Sequence, residues 1–254
     1  MYSSKKNEPS AADKKSKWIE YQKAVCLVVE KKDVSGLRDL LRCENSRDIL
    51  SISEDGATIL HKAAAKGASF EIMDLLLSHD CYEIVNKKEK RNKASVLHFA
   101  VENCSIEVVQ LLIDVGANVE AETKDLKTPL YWAAGAGRKD ILEALVKNGA
   151  RVDRTSSEKQ TALFEAVGQG NKESVLYLLE QGVDVNACDK QGETVLHESI
   201  RRDDRAITDL LLKHKADKTI KNLDGRTPYN VFKTYGSQRQ VRRNYSQHDP
   251  YRPR

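Results

Sequence analysis

The chain has 254 residues, 40% of them hydrophobic and 31% charged, with a formal net charge of +4, too small to argue for nucleic acid on its own. No apolar run approaches the roughly 18 residues of a membrane-spanning helix, and the lysine-rich N-terminus has no apolar stretch behind it, so neither a membrane span nor a secretory signal is expected. Five cysteines (Cys26, Cys43, Cys81, Cys104 and Cys188) are odd in number, widely spaced and lack a Cys-x-x-Cys pair, which points to reduced thiols inside the cell rather than a disulfide framework.

Residues 1–16 are polar and basic, and are expected to be disordered. From Lys17 a helical pattern begins with Trp18, Ile19, Tyr21, Ala24, Val25, Leu27 and Val28, and a second short helix from Val34 to Arg42 presents Leu37, Leu40 and Leu41. The stretch Leu37-Arg38-Asp39-Leu40-Leu41 also spells Leu-x-x-Leu-Leu, a docking pattern, but the second helix of a packed pair needs the same leucines for its core.

Beyond this pair one position recurs: Thr58, Ser95, Thr128, Thr161, Thr194 and Thr227, at intervals of 37, 33, 33, 33 and 33 residues. The copy at Thr128 shows why the frame folds. Thr128 is a good N-cap, Pro129 sits at the first helical position where a missing N–H costs nothing, and Ala133 and Ala134 let a neighbouring backbone approach. Gly137 breaks the helix, Ile141, Leu142, Leu145 and Val146 form the stripe of a second helix, and Gly149 is free to take positive φ after it. The other copies read Thr58-Ile59-Leu60-His61, Ser95-Val96-Leu97-His98, Thr161-Ala162-Leu163-Phe164 and Thr194-Val195-Leu196-His197.

This unit resembles the ankyrin repeat, whose helix pair starts with Thr-Pro-Leu-His-x-Ala. The resemblance covers residues 17–236 and implies an all-α solenoid of about six repeats with a partial C-terminal cap, the turns between repeats pairing as β-hairpin fingers. Residues 237–254 are expected to form a basic, disordered tail. In the family, partners bind across the fingertips and the exposed side of the first helices. Tyr131 and Phe164 depart from the pattern by replacing the histidine, so its hydrogen bond is lost or changed there. The first interval is four residues too long, one extra residue lying near Ala68-Ser69 and three between Leu77 and Ser95.

Chemistry is sparse. His61, His98 and His197 fall one per repeat and read as structural, with no ligand-spaced Cys or His beside them, so no metal is expected. Gly135-Ala136-Gly137 fails the dinucleotide fingerprint, because Asp140 stands at the third glycine position and no strand precedes the turn. No nucleophile arrangement is visible; no catalytic residue, enzyme activity or cofactor is expected.

What remains is surface. The lengthened finger Lys87-Lys88-Glu89-Lys90-Arg91-Asn92-Lys93 carries five basic side chains against one acid, and reads either as a solvated turn or as a docking site for an acidic partner. The position after the frame histidine runs Lys62, Phe99, Trp132, Glu165, Glu198, Val231; it places Phe99 and Trp132 either between helices or on the concave side as contact residues, continuing into two acids. Arg201, Arg202 and Arg205 beside Asp203, Asp204 and Asp209 suggest a salt-laced turn. The tail with Arg239, Arg242, Arg243, Tyr245 and Tyr251 either solubilises or contacts nucleic acid. Asn186, within Asp184-Val185-Asn186, is similar to ankyrin asparagines that become hydroxylated, or simply bonds its turn. The leading expectation is a non-enzymatic intracellular adaptor, scaffold or inhibitor, monomeric alone and holding a protein partner. A nucleic-acid-associated factor and a structural subunit of a larger assembly are the alternatives.

Overall fold

The computed structural model describes residues 11–42, 56–78 and 84–231. They fall into two compact units, one ending at Ala117 and the other beginning at Asn118. The tail containing Arg239, Arg242 and Arg243 lies outside the described residues.

The first unit contains α1 (Ala11–Glu30), α2 (Val34–Leu41), α3 (Ile59–Ala65), α4 (Phe70–Leu77), α5 (Val96–Asn103) and α6 (Ile106–Asp114). The start of α1 corrects one expectation: residues 11–16 are helical rather than disordered. Ala11 and Ala12, followed by Lys14, Lys15 and Lys17, have high helix propensity and little reason to leave the helix that the apolar residues after Lys17 begin. The Leu-x-x-Leu-Leu stretch serves the interior, with Leu37 and Leu41 both buried. Leu60, Ile72, Met73, Leu76, Leu97 and Leu112 complete that core.

The second unit contains α7 (Pro129–Gly135), α8 (Lys139–Lys147), α9 (Ala162–Gln169), α10 (Lys172–Glu180), α11 (Val195–Arg201) and α12 (Arg205–Lys213). Its core is the predicted stripe of each second helix, including Ile141, Leu142, Leu145, Val175, Leu178, Ile207 and Leu211, closed by Leu130, Leu163 and Leu196 from the first helices.

Each helix pair turns in the same way. The second helix is capped ten residues after the first cap at Ser105, Arg138, Asn171 and Asp204, but eleven residues after Thr58, at Ser69. The extra residue expected near Ala68-Ser69 is therefore in this turn. At Gly67 the turn needs glycine twice over: φ is +63°, and a Cβ would stand 2.6 Å from the Asn103 carbonyl oxygen.

The fingers are tighter than hairpins of paired strands. Among the described residues their strand pairing is limited to isolated antiparallel bridges, Lys88 with Ser95 and Thr155 with Thr161. Each tip is closed by a backbone bond across its ends, from Glu89 to Ala94, Thr123 to Lys127, Ser156 to Gln160, Asp189 to Glu193 and Asn222 to Arg226. In the second unit adjacent tips are stitched by Ser157 N–H to Asp125 O and Lys190 N–H to Glu158 O, at 2.8 and 3.0 Å, and by Leu223 N–H to Gln191 O at 3.0 Å.

Candidate interaction surface

The frame histidines are structural joints. Nδ1 of His61 accepts from the Thr58 backbone N–H at 3.1 Å and lies 2.9 Å from the Thr58 hydroxyl, while Nε2 faces the Ala94 carbonyl at 3.2 Å. A ring that accepts on one side and meets a carbonyl on the other carries its proton on Nε2. His197 repeats this between Thr194 and the Arg226 carbonyl, at 3.1 Å on each side. Each histidine thus caps its own helix and holds the finger of the next repeat. Burial disfavours the charged form and lowers both imidazoles from their usual range, against the opposing pull of those carbonyls.

Where the histidine is replaced, the joint changes. The Tyr131 hydroxyl reaches Gln160 Oε1 at 3.4 Å and lies beside the Glu165 carboxylate. Burial first, and that carboxylate second, push its ionisation above that of an ordinary phenol. Phe164 offers no acceptor, and the buried Thr161 hydroxyl is left without a hydrogen-bond partner.

The basic finger of the first unit is built around its single acid. Lys87, Lys88, Lys90, Arg91 and Lys93 are exposed, whereas Glu89 is only 6% exposed. The Glu89 carboxylate accepts from the backbone N–H of Asn92 at 2.6 Å, of Ala94 at 3.2 Å and of Arg91 at 2.5 Å. Burial works against its charge, but those three N–H groups and the nearby His61 imidazole outweigh it and hold the carboxyl below the usual carboxylate range. Counting charges in the sequence sets Glu89 against the lysines; in the fold it is a backbone ligand. A signal for this role was present: Thr123, Ser156, Asp189 and Asn222 recur at 33-residue intervals, and each accepts from backbone N–H groups of its own tip.

The ladder after the histidine position divides. Phe99, half-buried, meets the His61 ring edge-on at a centroid distance of 5.9 Å. Trp132 is also half-buried. Phe99 belongs to the first unit and Trp132 to the second. Lys62 is exposed and donates to Cys26 Sγ at 3.4 Å. The two acids are engaged within the chain. Glu165 accepts from Gln169 Nε2 at 3.1 Å and packs against Gly135, where a Cβ would come within 2.9 Å of its Cγ. Glu198 pairs with Arg201, which also pairs with Glu193, so Arg201 turns to two glutamates of its own repeat. Asn186 bonds the following turn, its Oδ1 accepting from Asp217 N–H at 2.7 Å and its Nδ2 donating to the Lys215 carbonyl at 3.4 Å.

No group of His, Cys, Asp and Glu that could hold a metal occurs among the described residues. None of their helices is long and apolar enough to cross a membrane.

Paired helices on a 33-residue frame, joined by capping histidines and closed fingertips, define an ankyrin-type repeat protein of the all-α solenoid class. Residues 25–125, 82–156 and 130–222 match the family described as ankyrin repeats, and the chain belongs to that family. Among curated relatives, the chicken nuclear factor NF-kappa-B p105 subunit is 32% identical over 152 residues, covering 46% of this chain and 15% of that protein. The mouse B-cell lymphoma 3 protein homolog is 35% identical over 118 residues, covering 46% of this chain and 26% of the relative. A Caenorhabditis elegans homolog of transient receptor potential cation channel subfamily A member 1 is 33% identical over 95 residues, covering 37% and 8%. The chain thus spans about a quarter or less of these relatives. Ankyrin repeats are protein-interaction modules and are typically non-enzymatic.

Proposed function

We propose that the chain is a non-enzymatic, intracellular adaptor, scaffold or inhibitor that docks an acidic protein partner on the finger 87–93, with Phe99 as an apolar contact of the same unit and Trp132 as a separate contact residue of the second unit. The observation that carries this reading is the disposition of the finger. Its basic side chains point to solvent, and its one acid is turned inward and hydrogen-bonded to the tip's own backbone. A cluster of one sign accelerates encounter with a partner of the opposite sign, most strongly at low ionic strength.

Phe99 and Trp132 are each only half-buried, so part of each side chain reaches the surface beside its intrachain contacts. Aromatic residues of this kind dominate many interfaces, with truncations costing on the order of 2 kcal/mol. Glu165 and Glu198 are weaker candidates for contact, since Gln169 and Arg201 already engage them.

Affinity capture from the native cell identifies the partner, and association kinetics then test the finger. Replacing Lys87, Lys88, Lys90 and Lys93 with Gln should slow association at low salt by about tenfold or more. An unchanged rate would remove the finger from the interface. For Trp132→Ala, lost binding at unchanged thermal stability supports a contact role, and lost stability a packing role.

A further inference from the structure

We infer that Glu89 is a positioning residue for binding: an acid that strengthens the attachment of an acidic polypeptide segment to the basic finger. This deepens the docking reading above and rests on it. Simple charge counting gives the opposite sign, because removing Glu89 makes the finger more positive.

The geometry decides against charge counting. Both carboxylate oxygens are used within the finger, Oε1 by the N–H groups of Asn92 and Ala94 and Oε2 by that of Arg91. The backbone of Glu89 closes the same loop by donating to the Ala94 carbonyl at 3.0 Å. That carbonyl also meets His61 Nε2 at 3.2 Å, which ties the tip to the buried start of α3. The carboxylate is therefore the hub of the tip's own turn, and the Ala94 carbonyl joins that turn to His61.

The finger needs such a hub more than the others do. In the second unit the acceptors Thr123, Ser156, Asp189 and Asn222 stand five residues before the next cap, and Glu89 stands six before Ser95. A tip longer by one residue calls for the longer side chain. Lys93 adopts a left-handed φ of +57° at this tip, as Leu126 and Lys159 do two residues before their own caps, so each of these turns has to be held in place. Lys87, Lys90, Arg91 and Lys93 also repel one another; without a central carboxylate, their repulsion opens the turn.

A held turn presents its cations in one arrangement, so binding does not have to order them, and that lowers its entropic cost. The fitting partner is a run of Asp or Glu in a polypeptide. Single-stranded nucleic acid binds through stacking platforms as well as charge. Residues 84–94 contain no aromatic side chain on which bases could stack.

The test uses the full chain and a fluorescein-labelled ten-residue polyglutamate peptide, with ten-residue oligouridine as the competing probe, both at low salt. Glu89→Ala should bind the peptide roughly fivefold more weakly despite gaining a positive charge. Glu89→Gln, which gains the same charge but keeps an acceptor oxygen, should fall between Ala and wild type, about twofold weaker. Amide hydrogen exchange should accelerate at Arg91, Asn92 and Ala94 in Glu89→Ala while the helices keep their protection; should that variant not fold, Glu89→Gln carries both readouts. Equal or tighter peptide binding by the Glu89 variants, unchanged exchange at those amides, or tighter binding of oligouridine than of peptide by wild type would each overturn the inference. A variant with Lys87, Lys90, Arg91 and Lys93 changed to Gln should lose binding. If it binds as wild type does, the docking reading itself falls, and this inference with it.

Discussion

A buried hydroxyl without a partner costs about 1–3 kcal/mol, and Thr161 and Ser174 are two such groups in the second unit. Their causes differ. Thr161 lost its partner when Phe164 took the place that His61 and His197 fill elsewhere, so Phe164→His should restore the capping box. We expect a gain of about 1 kcal/mol in chemical denaturation. The same logic makes Thr161→Val nearly neutral, within about 0.5 kcal/mol, while Thr194→Val should cost about 1 kcal/mol because it removes the hydroxyl from the capping box and leaves His197 Nδ1 only the Thr194 N–H. Ser174 occupies a fully buried position of α10, where the second helices on either side carry Ile141 and Ile207. Ser174→Ala should therefore stabilise by about 1 kcal/mol, since it removes an orphaned polar group and little volume. A loss of stability would mean that the hydroxyl is satisfied after all.

At the level of the helix, Gly135 and Gly168 form a controlled pair, one repeat apart at the same position of the frame. A Cβ on Gly135 would meet Glu165 at 2.9 Å, while one on Gly168 would meet nothing within 4 Å. Gly168→Ala should thus stabilise α9 by roughly 0.5–1 kcal/mol, the ordinary helix cost of glycine. Gly135→Ala should gain less or lose outright, because Glu165 must move. Thermal unfolding of the two variants side by side checks the contrast, and equal gains would show that Glu165 yields freely. The frame itself was legible in the residues: caps, small residues, second-helix stripes and turn glycines all recur with the 33-residue period. The start of α1 was missed because its first turns carry lysine and alanine, which favour helix through backbone propensity and leave no apolar stripe to read. The role of Glu89 was missed because a charge tally does not say which way a side chain turns.

For the whole molecule, buried histidines set a pH dependence that both units share. His61 lies in the first unit and His197 in the second, and in each the folded pKa is lowered by burial from the unfolded value of 6.5. The unfolded chain then binds more protons than the folded one, so stability is present above about pH 6.5 and is lost as pH falls toward the folded pKa values. The melting temperature should accordingly drop between pH 7 and pH 5. This window lies above the carboxyl groups held low by their partners, Glu89, Asp140 and Asp153 among them. Replacing both histidines with Asn should lower the melting temperature at pH 7 yet flatten its fall toward pH 5; an undiminished slope would assign the effect to other groups. Periodicity in the residues was enough to establish the repeat and where its first helices start, because capping, turn geometry and apolar spacing are local and recur in register. Which polar groups find partners is not local: it depends on what the next repeat places 29 to 33 residues away. Only the packed chain therefore set His61 against the Ala94 carbonyl, the Tyr131 hydroxyl against Gln160 and His197 against the Arg226 carbonyl.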